Sequence, residues 1–83
     1  MSTIRQLEGA EADAAVLEVL KSLAGPALLG TIHQSCVNAG FKVVTRTPKG
    51  NIYSGDPNNY SKSLRRLRAA GKAKNDGPWW CAA

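Results

Sequence analysis

Apolar residues recur at helical spacing in three stretches of this chain and alternate with polar residues between and after them. Val16, Val19, Leu20 and Leu23 fall at i, i+3, i+4 and i+7, one face of a helix that begins near Ala10. Glu11 and Asp13 stand in its first turn and Lys21 in its last, the favourable order for the helix dipole. Gly25-Pro26 ends it, because the residue before a proline disfavours helical backbone. Pro26-Ala27-Leu28 reads as a short extended connector. Leu29, Ile32, Cys36 and Ala39 mark a second helix over about 28–39, closed by Gly40 just past its end.

Residues 41–55 change period. Phe41, Val43 and Thr45 alternate with Lys42, Val44 and Arg46, and Pro48-Lys49-Gly50-Asn51 is turn chemistry. This predicts a short hairpin or an ordered extended loop. A third helix follows, with Asp56 as N-cap, Pro57 at the first helical position and Gly71 as the exit. Its Tyr60, Leu64 and Leu67 fall within about 60° of one another at ~100° per residue. Lys72-Ala73-Lys74, a turn at Asn75-Asp76-Gly77, and Pro78-Trp79-Trp80-Cys81 predict a closing two-stranded hairpin. Adjacent strand residues face opposite ways, so one of Trp79 and Trp80 should cover the core and the other should not. Residues 1–9 show no period and are expected to be flexible, leaving 10–83 as a single domain. The expected class is α+β, mainly α, with three helices, a C-terminal two-stranded wing and an extended loop or hairpin between helices two and three.

Eighty-three residues make one domain that buries only about 60–65% of its unfolded surface. The net charge of +5 is unevenly placed. Glu8, Glu11, Asp13 and Glu18 face a single Arg5 in the first twenty residues, whereas only Asp56 and Asp76 oppose ten Lys and Arg thereafter. Such an excess speaks of partners: nucleic acid, an anionic surface or an acidic protein. No segment has the apolar length of a membrane span, and the N-terminus lacks the layout of a secretory signal. A cytoplasmic protein is expected, nucleoid-associated if bacterial, with no membrane partner.

Catalytic patterns are missing from the sequence. There is one histidine, no carboxylate pair near it, and no phosphate-cradling glycine loop. His33, Cys36 and Cys81 offer at most three soft ligands without a Cys-x-x-Cys pair, short of a zinc signature. The expectation is a binding protein rather than an enzyme, with no cofactor and no metal.

The run Leu64-Arg65-Arg66-Leu67-Arg68-Ala69-Ala70-Gly71-Lys72-Ala73 resembles the junction of recognition helix and wing in winged helix-turn-helix proteins. The order helix, connector, helix, linker, helix and aromatic-ended hairpin is similar to that family over roughly residues 12–82. More narrowly, Val16-Leu17-Glu18-Val19-Leu20 before Gly25-Pro26, the long connector from Gly40 to Pro48 and the aromatic last strand resemble HARE-type modules. The chain departs from the family in the long segment between helices two and three, where a short turn is usual; an inserted hairpin is the expectation.

The resemblance implies double-stranded DNA binding, in a transcriptional regulator or a DNA-associated accessory factor. On helix three, the side opposite the Tyr60-Leu64-Leu67 stripe carries Asn58, Asn59, Lys62, Arg65 and Arg66, with Ser61 and Arg68 on the flank. Arg and Lys suit the guanine acceptors of the major groove and Asn suits adenine. Asn58, Asn59, Lys62 and Arg66 are expected nearest the bases, and Arg65 and Arg68 at phosphates. Lys72, Lys74 and Asn75 of the wing would touch the backbone, and Lys42, Arg46 and Lys49 form a secondary basic rim. Useful specificity from so small a module calls for a homodimer or a larger protein partner. The alternative is a protein-interaction module using an exposed tryptophan and the central loop; a third is single-stranded nucleic acid or RNA held by stacking.

Overall fold

Helix α1 (Gly9–Ser22) forms where the periodicity predicts it and buries Ala12, Val16, Val19 and Leu20, one stripe at helical spacing. It stops at Leu23, whose backbone turns extended ahead of Gly25-Pro26. Helix α2 (Leu29–Asn38) buries Ile32 and Cys36 and leaves through Gly40 at φ +98°, a left-handed exit that favours glycine. The computed structural model describes residues 4–23, 25–46, 48–50, 52–53 and 58–83, with Arg46, Ile52, Tyr53 and Asn58 described through their backbone alone. Asp56 and Pro57, the expected start of the third helix, lie outside the described residues.

The N-terminus differs from expectation. Arg5–Leu7 is a strand, β1, running parallel to β2 (Phe41–Val43) in the register Arg5↔Phe41, Gln6↔Lys42, Leu7↔Val43. Leu7 is buried and its carbonyl accepts from the Val44 N–H at 2.9 Å, so Arg5–Leu7 is paired and fastened to the core. Three residues are too few to display a period, and their partner lies beyond two helices. Of the two forms expected for residues 41–55, a hairpin or an extended loop, the hairpin is present but shorter, with β3 (Thr45–Arg46) antiparallel to β4 (Ile52–Tyr53) and Phe41–Val43 paired with β1 instead.

Helix α3 (Asn58–Ala69) buries Tyr60, Leu64 and Leu67, as their spacing predicts. Its end is a Schellman motif: Gly71 at φ +76° donates to the Arg68 carbonyl, and Lys72 donates to that of Leu67. The chain then enters β5 (Ala73–Asp76) and β6 (Trp79–Ala82), paired from Ala73↔Ala82 to Asp76↔Trp79. That register leaves Gly77-Pro78 as the two-residue loop, displaced from the expected Asn75-Asp76-Gly77. Gly77 has φ +59°, and proline in the second loop position excludes a type I′ turn and suits type II′. Of the two tryptophans, Trp80 is buried and Trp79 is 45% exposed.

Among the described residues the protein is thus a small α+β domain of three helices and three two-stranded sheets. One core joins Leu7, Val16, Leu20, Ile32, Phe41, Tyr60, Leu64 and Trp80, with α1 packed on α2, α3 and β6. One further pairing closes it. Ala27, in the connector between α1 and α2, exchanges two backbone hydrogen bonds with Trp80, at 2.8 and 2.9 Å. None of the described helices is long and apolar enough to cross a membrane.

Candidate nucleic-acid interface

The basic face of α3 is narrower than a helical wheel suggests, because several of its polar residues work inward. Asn59 is buried. Its amide donates to the Val43 carbonyl at 3.3 Å, and its oxygen accepts from the Thr45 hydroxyl at 2.8 Å. Next to it, the Val43 N–H donates to the Tyr60 hydroxyl at 3.3 Å. Asn59, expected at a base edge, is therefore a joint between α3 and both β2 and the central hairpin. The physical reason is that burying Tyr60 and Ser63 carries their wheel neighbour Asn59 into the same arc, where a polar side chain must find partners.

Arg66 is also redirected. Its guanidinium grips Asp13 of α1 with both faces of the fork, Nε to Oδ2 at 2.7 Å and Nη2 to Oδ1 at 2.8 Å. Partial burial opposes ionisation of Asp13, but the hydrogen bonds from Arg66 and Ser63 and the Arg66 charge outweigh it and hold the carboxyl below its ordinary range. The same carboxylate bond raises Arg66, which stays cationic. Arg66, expected nearest the bases, instead ties α3 to α1; the wheel could not show that an acid stands opposite it.

What remains outward is Lys62 and Arg65, both exposed, with Ser61 half-buried beside them. Arg68 lies at the flank as expected, donating to the Asn75 side chain at 3.3 Å with its guanidinium 5.6 Å from the Trp80 ring centroid. Asn75 has an internal duty, donating to the Gly77 and Trp79 carbonyls at 2.9 and 3.1 Å and so bracing the loop. Lys72, Lys74 and Lys49 are exposed and Lys42 is half-buried. The side chains of Asn58 and Arg46 lie outside the described residues.

Two concavities flank the outward ridge. The larger, an open cleft of 830 Å³, has Ser61, Arg65 and Arg68 on one wall, the β5–β6 loop on the other, and the start of α2 with Trp80 behind. The smaller, 170 Å³, lies between Lys62 and Arg66 and the stem residues Val43 to Thr45, with Glu8 also on its rim. Elsewhere, His33 stacks on Tyr60 at 5.0 Å, and burial pushes the Cys36 thiol up to about 12, so it stays protonated. No group of three His, Cys, Asp or Glu residues that could hold a metal is present among the described residues. No known protein family, curated protein or solved structure matches the chain.

Proposed function

We propose that this domain is a winged helix-turn-helix that binds double-stranded DNA, with α3 in the major groove and the β5–β6 wing against the backbone. The observation that carries the reading is the run of exposed cations Lys62, Arg65 and Arg68 on α3 and Lys72 and Lys74 just after it, with Arg65 and Arg68 bordering an open cleft. The Ala27–Trp80 pairing supports the fold assignment, since a single β-bridge joins the wing to the connector between the first two helices. A twelve-residue helix such as α3 is ~18 Å long and, with side chains, about 10–12 Å across. That diameter suits the ~12 Å major groove. Lys62 and Arg65 then reach guanine edges or phosphates, and the wing lysines reach sugar-phosphate. A regulator or accessory factor on DNA fits this mode.

The direct test is a titration of random duplex at several salt concentrations with wild type and the Lys62→Glu/Arg65→Glu variant. Both side chains are exposed and neither is hydrogen-bonded or ion-paired to another described residue, so the fold should survive while affinity falls by on the order of a hundredfold or more. Undiminished binding by a folded variant would remove α3 from the interface. A second reading, protein docking, is favoured by Trp79, which stands exposed beside Pro26 and Asp76. Under that reading Trp79→Ala abolishes partner capture and leaves the salt dependence of any DNA binding unchanged.

A further inference from the structure

The two concavities beside α3 are not equivalent in origin. One is walled by the wing, the other by the stem of the hairpin inserted between α2 and α3. Ser61, Arg65 and Arg68 border the first; Asn59, Lys62 and Arg66 border the second. At ~100° per residue these two sets centre roughly 130° apart, on either side of the outward direction marked by Lys62, Arg65 and Ala69. A helix lying in a groove about 12 Å wide has a phosphate backbone on each flank. A hairpin on each flank is the arrangement that would meet both.

We propose that the central hairpin, β3–β4, is a second arm that contacts the phosphodiester backbone across α3 from the β5–β6 wing. The inference rests on the reading of α3 as the duplex-docking helix. Three observations support the second arm. The base of the arm is fixed to the first turns of α3 before any ligand arrives: β3 through Thr45 to Asn59, and β2, which leads into it, through Asn59 to Val43 and Val43 to Tyr60. An arm already ordered loses little conformational freedom on binding. Its segment, residues 41–55, carries Lys42, Arg46 and Lys49 and no carboxylate, so its field is of one sign. Lys49 stands exposed in the turn, without a competing acid paired to it among the described residues.

The concavity itself is not the anion site, because Glu8 lies on its rim and Arg66 is held by Asp13. The charge that meets phosphate comes from Lys49 in the hairpin turn and from Lys42 in β2, the strand that leads into the hairpin. The domain thereby acts as a two-armed clasp, with the bases read by the ridge between.

The test is a salt titration of the full chain against a random-sequence duplex, comparing wild type, Lys42→Ala/Lys49→Ala and Lys72→Ala/Lys74→Ala. Thermal unfolding of each variant checks that the fold is kept. Each pair of lysines meeting phosphate contributes roughly 1.8 to the log–log salt slope, so either double variant should flatten the slope by about that amount. Affinity near 0.1 M salt should fall on the order of tenfold for each, and the losses should add when the four changes are combined. An unchanged slope and affinity for Lys42→Ala/Lys49→Ala, while Lys62→Glu/Arg65→Glu still loses binding, overturns the second arm and leaves the α3 reading standing. If wild type fails to bind duplex at low salt, both fall together.

Discussion

The two hairpins of this domain are fastened to it by opposite means. The β5–β6 hairpin is held by an apolar anchor: Trp80 sits in the core, and its backbone pairs with Ala27. The β3–β4 hairpin is held by a polar joint at its base, in which Asn59 accepts from the Thr45 hydroxyl of β3 while Asn59 and Tyr60 take up the backbone of Val43, the last residue of β2. An apolar anchor gains from area and tolerates small shifts. A polar joint gains little net free energy but is intolerant of a missing partner, because each group it leaves behind is buried and unsatisfied. The first arrangement supplies stability; the second fixes where the hairpin stands relative to α3.

The contrast can be broken at either end. Trp80→Ala should have the largest effect, about 3–5 kcal/mol from lost burial and a cavity, enough to unfold much of so small a domain. Its neighbour Trp79→Ala should change stability by only about 0.5 kcal/mol; urea midpoints of the two variants measure the difference. Asn59→Ala comes next. Losing the joint should cost about 1–3 kcal/mol, and amide shifts should concentrate in residues 42–46 while the Ala27–Trp80 pairing is kept. Comparable shifts in both hairpins would show that the two fastenings are not independent.

A smaller effect than that of Asn59 belongs to the Asp13–Arg66 pair, which joins helices rather than hairpins. Its carboxyl is held below the ordinary value of 3.8, so its contribution is complete above about pH 4. It is lost as pH falls through the lowered folded value, where the carboxylate takes up a proton. With Arg66 half exposed, the contribution should be at most about 1 kcal/mol at low salt. Asp13→Asn should therefore flatten the acid limb of the stability–pH curve and leave its shape near neutrality unaltered. An identical acid limb in the variant would mean that another carboxylate dominates there.

How far the fold can be read from the chain depends on how local each cause is. The stripes of α1, α2 and α3, and the glycine exits at Gly40 and Gly71, follow from spacing and backbone preference, and they stand where those predict. The pairing of Arg5–Leu7 with Phe41–Val43 does not, because nothing within three residues announces a distant parallel partner. The candidate site divides along the same line. Lys62 and Arg65 face outward by periodicity alone. Asn59 and Arg66 occupy positions whose direction is set by Val43, Thr45 and Asp13, and a helical wheel carries no information about those. A polar residue bordering the apolar arc is outward only if no buried partner waits for it.

The Ala27–Trp80 pairing also equips the protein with its own optical reporter. One tryptophan lies in the core at the back of the large cleft, under the Arg68 guanidinium, and its neighbour in sequence stands in water. Emission from the inner indole should be blue-shifted and shielded from an aqueous quencher, and emission from the outer one red-shifted and quenchable. A ligand that drew the Arg68 guanidinium away from the inner ring would alter only the shielded component. Occupancy of the cleft and exposure of the hairpin tip can therefore be followed separately, in the unlabelled chain, by light alone.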